Sequence, residues 1–286
     1  MICDLCPRKC GVDRSRAVGY CGAPEKAVVA RAELHFWEEP YLTANGASGA
    51  VFFSGCNLKC AFCQNRKISF TLQGETLDAK GLADVFRRIE DDGADNVDLI
   101  TPTPYVPVIK DALDLYRPAL PVIYNCGGYE SVDTIKSLAG YVDVYLPDYK
   151  YFDDELALRY SGAADYRKNC EEALVEMRSQ VPDVVDQDGV LKKGLAIRHL
   201  VLPTHAQDSF KVLDRIKELF GKDIHLSVMG QYVPCGDLSR FPELQHPLKP
   251  LEYKAVIARA LALGFENCFC QEEGCADKNF IPAFLR

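Results

Sequence analysis

The sequence predicts an α/β fold, an open (β/α)6 partial TIM barrel preceded by a small Cys-rich metal-binding segment. Three observations predict it. From residue 49 onward, short apolar runs alternate with amphipathic stretches, the order of strand-then-helix units joined by right-handed crossovers. Polar or ionisable residues stand at the end of each run, where barrels and open α/β sheets gather their sites. The 13 cysteines are clustered, four within the first 21 residues and three in one short loop.

Taken in order, residues 1–47 are irregular, rich in Cys, Gly and Arg, with no helical period; the barrel and a C-terminal extension occupy 48–286. Strands are expected at 49–54, 97–101, 121–124, 142–146, 195–202 and 224–229. Helices are expected at 80–92, 105–116, 132–138, 165–180, 209–220 and 251–263. Six such units make an open barrel, smaller than the closed eightfold one. The acidic stretch 182–189 reads as an exposed connection. After the first strand come Cys56, Cys60 and Cys63, and after the second Thr101-Pro102-Thr103-Pro104. The third is followed by Asn125-Cys126-Gly127-Gly128 and the fourth by Pro147-Asp148-Tyr149-Lys150. Arg198 lies in the fifth, and Gln231 and Tyr232 follow the sixth.

Cys56, Cys60 and Cys63 have Cys-x3-Cys-x2-Cys spacing. Three thiolates so close can each hold one iron of a [4Fe–4S] cube. With no fourth cysteine in the motif, one iron keeps an open position where a substrate or cofactor can bind and receive an electron. A zinc site or three unrelated buried cysteines is the alternative. Cys3-x2-Cys6-x3-Cys10-x10-Cys21, interleaved with Gly11, Gly19 and Gly22, is a second four-thiolate set. It suits a structural Zn(Cys)4 site that folds an otherwise coreless segment, or an auxiliary [4Fe–4S] cluster. Cys268, Cys270 and Cys275 read mainly as strand-face and buried thiols, and Cys126 as a spectator in the barrel.

The cluster segment, with Phe62 just before its last cysteine, resembles the radical S-adenosylmethionine (radical SAM) superfamily. Cys6-Pro7-Arg8-Lys9-Cys10, Glu38-Glu39-Pro40, Tyr124-Asn125, the segment 145–150, the segment 198–203 and Met229-Gly230-Gln231-Tyr232 extend the likeness to homologues of the pyruvate formate-lyase activating enzymes. The resemblance implies that the open iron is chelated by the methionyl group of SAM, which one electron from a flavodoxin or ferredoxin splits to a 5′-deoxyadenosyl radical for hydrogen abstraction. It places Phe62, Thr101, Thr103, Asn125, Asp148, Lys150, Arg198 and Tyr232 about the cofactor. Asp148 and Lys150 match an Asp-x-Lys motif near the cofactor carboxylate, and Arg198 a fifth-strand Arg beside that carboxylate or the ribose. Where these activators carry Gly-Gly-Glu, this chain has Thr101-Pro102-Thr103. On residue types alone, Asp148 and Lys150 make a strand-end ion pair, Arg198 answers a carboxylate in the barrel wall, His199 faces the helical layer and Tyr232 lines the mouth.

Two substrate classes follow: a glycyl radical enzyme activated by hydrogen removal, or a small metabolite or modified nucleoside acted on by a lyase or modifying enzyme. A non-catalytic metal-binding interaction protein would make the polar strand ends coincidental. The net charge of −8 and pI near 5.2 exclude an extended nucleic-acid surface. No apolar stretch is long enough to span a bilayer. Many cysteines without an export signal imply a reducing cytoplasm and metal ligation.

Overall fold

A computed structural model of the protein describes residues 2–43 and 46–271. Its elements in chain order are β1 (Ala27–His35), β2 (Ser48–Phe53), α1 (Arg66–Phe70), β3 (Glu75–Leu77), α2 (Ala79–Asp91) and β4 (Asn96–Ile100). Then come α3 (Val106–Leu115), β5 (Val122–Cys126), α4 (Val132–Ser137), β6 (Val144–Pro147), α5 (Asp154–Ser161) and α6 (Tyr166–Gln180). The last are β7 (Val184–Val185), β8 (Leu191–Leu200), α7 (Ala206–Phe220), β9 (His225–Met229), α8 (Pro250–Leu263) and β10 (Cys268–Cys270). The sheet runs β10-β9-β8-β6-β5-β4-β2-β1-β3 and does not close on itself. From β2 to β10 along this path every pairing is parallel. This is the open barrel the alternation predicts.

The period-2 pattern of the parallel strands assigns each side chain to one face. Val97 and Leu99 face outward and pack with Phe86, Ile89 and Ile109 of α2 and α3. Tyr145, Ile197, Leu226 and Val228 pack outward with Leu174, Met177, Leu213 and Ile216 of α6 and α7. Each such buried side chain contributes roughly 1.5–3 kcal/mol. The inward face is mixed. Ile123, Val144, Leu146 and Ala196 are apolar and are closed off by Tyr41 and Leu42. Asp98, Asn125 and Ser227 are buried polar residues on the same face.

Three features depart from the sequence expectation. Residues 27–35 are not irregular: β1 pairs antiparallel with β2 and carries β3 on its other edge. Ala27–Val29 are buried between β2 and β3, the rest of β1 is half-buried, and its mixed composition hides the strand beside the cysteines. A short helix, α5, lies between 147 and 165; Asp153 caps it by accepting from the Glu155 backbone N–H at 2.8 Å. Gly162 ends it in the left-handed region at φ 59°. Within 182–189, Val184 and Val185 form an exposed two-residue strand against β8.

The N-terminal segment lies against the loops at the carboxyl ends of the strands. Buried Arg14 donates to the carbonyls of Ala23, Pro24 and Pro104. Arg8 donates to the Asn57 carbonyl at 2.8 Å and the Ser161 carbonyl at 2.9 Å, its guanidinium 4.0 Å from the Tyr20 ring centroid. Thr134 of α4 donates to the Leu5 carbonyl at 2.7 Å. Among the described residues no helix is long and apolar enough to cross a membrane.

His199 points into the helical layer as expected, its ring nitrogens 2.7 Å from the Tyr149 carbonyl and 2.8 Å from Ser209 Oγ. Burial pushes its pKa down to about 4. We expect its side-chain NMR signals to show a neutral ring at pH 6, where an ordinary exposed histidine is mostly charged. A ring titrating near 6.5 would contradict this environment.

Candidate active site

β2 ends at Phe53, and the loop that follows carries three cysteines. Ser54 donates its backbone N–H to the Val28 carbonyl at 2.8 Å, and Gly55 to the Ile68 carbonyl at 2.7 Å. Gly55 has φ 86°, and a Cβ there would stand 2.8 Å from the Cys21 carbonyl oxygen. Glycine is therefore required both for the turn and for the approach of the N-terminal segment. Asn57 Nδ2 pins the loop to the Tyr129 carbonyl at 2.6 Å.

Each sulfur has a polar partner. The Leu58 backbone N–H points at Cys56 Sγ (3.4 Å), Ser161 Oγ donates to Cys60 Sγ (3.0 Å), and Ser69 Oγ is 3.3 Å from Cys63 Sγ. Burial first, then the neighbouring Cys60, pushes the Cys56 thiol up to about 11. Burial with Cys60 and Cys56 pushes Cys63 up to about 12. Such thiols ionise readily only against a soft cation, so the donor set suits iron–sulfur ligation. Phe62 packs beneath the loop among Tyr151, Tyr160 and Tyr232, with ring centroids 6.2–6.5 Å away. Cys235, from the loop after β9, sets its sulfur 3.2 Å and 3.3 Å from the carbonyls of Phe62 and Cys63.

Inside the barrel, β5, β6 and β8 bring Asn125, Asp148 and Arg198 together. Arg198 Nε donates to Asp148 Oδ1 at 2.9 Å and its Nη2 to Asn125 Oδ1 at 2.5 Å, while Nη1 lies 3.5 Å from Glu38 Oε1. Lys150 Nζ donates to the other Asp148 oxygen at 2.5 Å. Burial alone would raise the Asp148 carboxyl; Arg198 and Lys150 outweigh it and hold the group below the usual range. Burial works against the charge of Lys150, but Asp148 holds its pKa above the ordinary value. The ion pairs are therefore locked as charged groups.

The structure thus gathers Asn125, Asp148, Lys150 and Arg198 into one network, and Phe62 and Tyr232 around the cysteine loop. Tyr232 is buried and donates to the Leu244 carbonyl at 2.5 Å. Thr101 holds a left-handed backbone at φ 61° and donates its N–H to the Asn125 carbonyl at 2.9 Å. Thr103 turns away from the network and donates to buried Glu130 at 2.7 Å. Cys126 packs outward beside Tyr124 and Tyr145, away from the barrel axis. The sequence reading assigned no role to Glu38, Glu39, Asp98, Ser227, Glu130 or Cys235. Asp98 carried a signal, a lone carboxylate between the outward-facing Val97 and Leu99.

Of the N-terminal thiols, Cys6 is pushed up to about 12 by burial, and Cys21 is raised by burial. The Tyr20 backbone N–H points at Cys10 Sγ at 3.3 Å and the Ala23 N–H at Cys21 Sγ at 3.5 Å. Among the described residues no three His, Cys, Asp or Glu side chains converge as ligands of one metal ion. The sulfurs of Cys268 and Cys270 are 3.9 Å apart on β10, and Cys275 lies outside the described residues.

Residues 42–119, which contain the cysteine loop, match the family model of a 4Fe-4S single cluster domain. Over 258 residues the chain is 30% identical to the uncharacterized protein MJ0674 of Methanocaldococcus jannaschii, covering 86% of this chain and 70% of that protein. In fold it is similar to Streptococcus suis SuiB, solved bound to precursor peptide SuiA, with a TM-score of 0.50 and 15% identity. That match covers 77% of this chain and 47% of SuiB, so the chain spans less than half of SuiB's length.

Proposed function

We propose that this chain, which belongs to one family with MJ0674 and carries a 4Fe-4S single cluster domain, is a radical SAM enzyme: it reductively cleaves SAM at a [4Fe–4S] cluster held by Cys56, Cys60 and Cys63, and abstracts a hydrogen atom from a substrate inside its barrel. The observation that carries this reading is the loop itself. Three buried or half-buried thiols share one loop after β2, each with a polar partner at sulfur, and the charge of Lys150 in the network bears on Cys56 and Cys63.

When bound, the cluster supplies one electron to the sulfonium of SAM, and a flavodoxin or ferredoxin replaces that electron. The protein's own part is to bind and orient. Asp148, Lys150, Asn125 and Arg198 form a pre-organised polar wall for the methionyl and ribose groups. Phe62 and Tyr232 brace the cysteine loop through packing. Thr101 keeps a role through its backbone at the end of β4, whereas Thr103 acts at one remove, through Glu130.

Of the two substrate classes, the enclosed barrel favours a small molecule over the glycine loop of a large enzyme. Tyr41 and Leu42 close one end, and the segment through Arg8, Arg14 and Cys21 lies along the other. EPR of the reduced, anaerobically reconstituted protein tests the reading. A [4Fe–4S] signal that changes on adding SAM is expected; an unchanged signal would count against SAM at the open iron.

Cys3, Cys6, Cys10 and Cys21 are proposed to bind a structural metal that fastens residues 1–26 to the barrel. Zinc draws its four sulfurs to about 2.3 Å from one point. In a variant lacking the three loop cysteines, elemental analysis is expected to find about one zinc per chain for the Zn(Cys)4 form, or about four irons for an auxiliary cube. A metal-free chain of unchanged stability would exclude both. Losing one of these ligands is expected to lower the melting temperature before it lowers activity, because metal-binding energy there is folding energy.

A further inference from the structure

We propose that Glu38, Glu39 and Asp98 form a binding site for a protonated primary amine at the floor of the barrel. The proposal rests on the SAM-cleaving reading and names the chemical class of its substrate.

Glu38 and Glu39 reach the barrel by an uncommon route. β1 runs antiparallel to its neighbour, so its far end, His35 opposite Ser48, lies at the closed end of the barrel. The strap that follows is fixed across that end. Leu42 donates its N–H to the Glu39 carbonyl at 2.9 Å, Leu191 to the Tyr41 carbonyl at 2.8 Å, and Asn96 Nδ2 to the Leu42 carbonyl at 2.9 Å. Buried Tyr41 and Leu42 fill the bottom, and the two glutamates extend toward Arg198 and Ser227.

The resulting site has more acid than base. Four carboxylates, Glu38, Glu39, Asp98 and Asp148, face two cations, and both cations are committed to Asp148. Glu38 reaches Arg198 only at 3.5 Å. Glu39 accepts from Ser227 Oγ at 2.5 Å, and that hydroxyl is 3.2 Å from the Tyr41 hydroxyl. Asp98 accepts on Oδ2 from Asn125 at 3.2 Å. Its Oδ1 meets no donor group among the described residues, and its carboxyl stands within hydrogen-bonding range of the Glu38 carboxyl, although the residue is completely buried. Burial lifts Glu39 to about 7, and burial with the neighbouring Glu38 carboxylate raises Asp98. Carboxylates so placed await a cation, since a buried acceptor left unpaired is costly.

The cation they suit carries its own hydrogens. The acceptors are spread over the strap, β4 and β9 and do not converge on a point, which a bare metal ion would need. An ammonium has three rotatable donors for separate acceptors, whereas a guanidinium prefers a single bidentate carboxylate. The site lies on the axis that Asp148 and Arg198 share, so a molecule anchored there by its amine would extend toward the cysteine loop.

The test uses the full chain, anaerobically reconstituted, with calorimetric titration of SAM first and of n-butylammonium into the SAM-loaded protein second. n-Butanol and butyrate serve as neutral and anionic controls. Saturable binding of n-butylammonium is expected, at least about tenfold tighter than either control, and weakened about tenfold or more in Glu39→Gln and Asp98→Asn while both variants still bind SAM. If wild-type protein binds SAM but shows no preference for the ammonium, this inference fails and the SAM reading stands. Ammonium binding unaltered in both folded variants would also overturn it. If wild-type protein binds no SAM, the underlying reading itself fails. Should the variants not fold, the wild-type preference among the three probes decides.

Discussion

Reconstituted protein in which Cys56, Cys60 and Cys63 are all alanine is expected to lose the open-site cluster's absorption and EPR signals and to fall to background in SAM cleavage. On the proposed reading the cubane is held by these three thiolates, and the nearby thiol of Cys235 is turned to backbone carbonyls. Removing them leaves no ligand set at the end of β2. The fold should survive, because the loop is also held by Gly55, Asn57 and Arg8 through backbone contacts that these substitutions leave in place. Truncating partly exposed Cys56 and Cys63 opens little cavity, and Cys60 is the one buried thiol of the three, so the loss should stay below the 2–5 kcal/mol, roughly, of a buried Leu→Ala change. Circular dichroism of the variant checks this. A variant that kept the cluster and the cleavage would remove these cysteines from the account.

Asp148→Ala is expected to have the largest effect among the polar residues. The substitution strands Arg198 Nε and Lys150 Nζ, two cations 2.9 Å and 2.5 Å from the lost oxygens, inside the barrel. Breaking a buried pair typically costs about 3–5 kcal/mol, because the remaining charge has no compensation. Denaturant unfolding reads that loss, and SAM affinity should fall roughly ten- to a hundredfold as the polar wall collapses. Since the folded-state carboxyl is held below its ordinary range, its stabilising contribution is present above the unfolded value of about 3.9 and is lost as pH falls below it. The gap between wild type and variant should therefore be full at pH 7 and should narrow below pH 4. Equal stability at pH 7 would mean that the network is not a stabilising unit.

Much of this architecture is legible from sequence because parallel strands buried on both faces read as continuous apolar runs. Val122–Tyr124 and Val144–Leu146 are examples, and the residues after such runs must sit at one end of the barrel. Asn125, Asp148, Lys150 and Arg198 come together for that reason. β1 was not legible, since Arg31 and Glu33 interrupt a half-buried strand that only tertiary pairing stabilises. Missing it concealed what Glu38 and Glu39 do: their motif is visible, but only an antiparallel strand explains how they reach the closed end. Thr103 shows the opposite failure. Its position after β4 suggested a cofactor contact, yet a 3₁₀ turn buries it against Glu130. The partner, 27 residues away, left no local signal.

The central claim is tested most directly by incubating the reconstituted wild-type chain with SAM and dithionite under anaerobic conditions and quantifying products by liquid chromatography with mass spectrometry. Cleavage at the open iron predicts 5′-deoxyadenosine and methionine in equal amounts, formed only with reductant and absent from the triple-cysteine variant. Intact SAM after prolonged incubation with a fully loaded and reduced cluster would contradict the account.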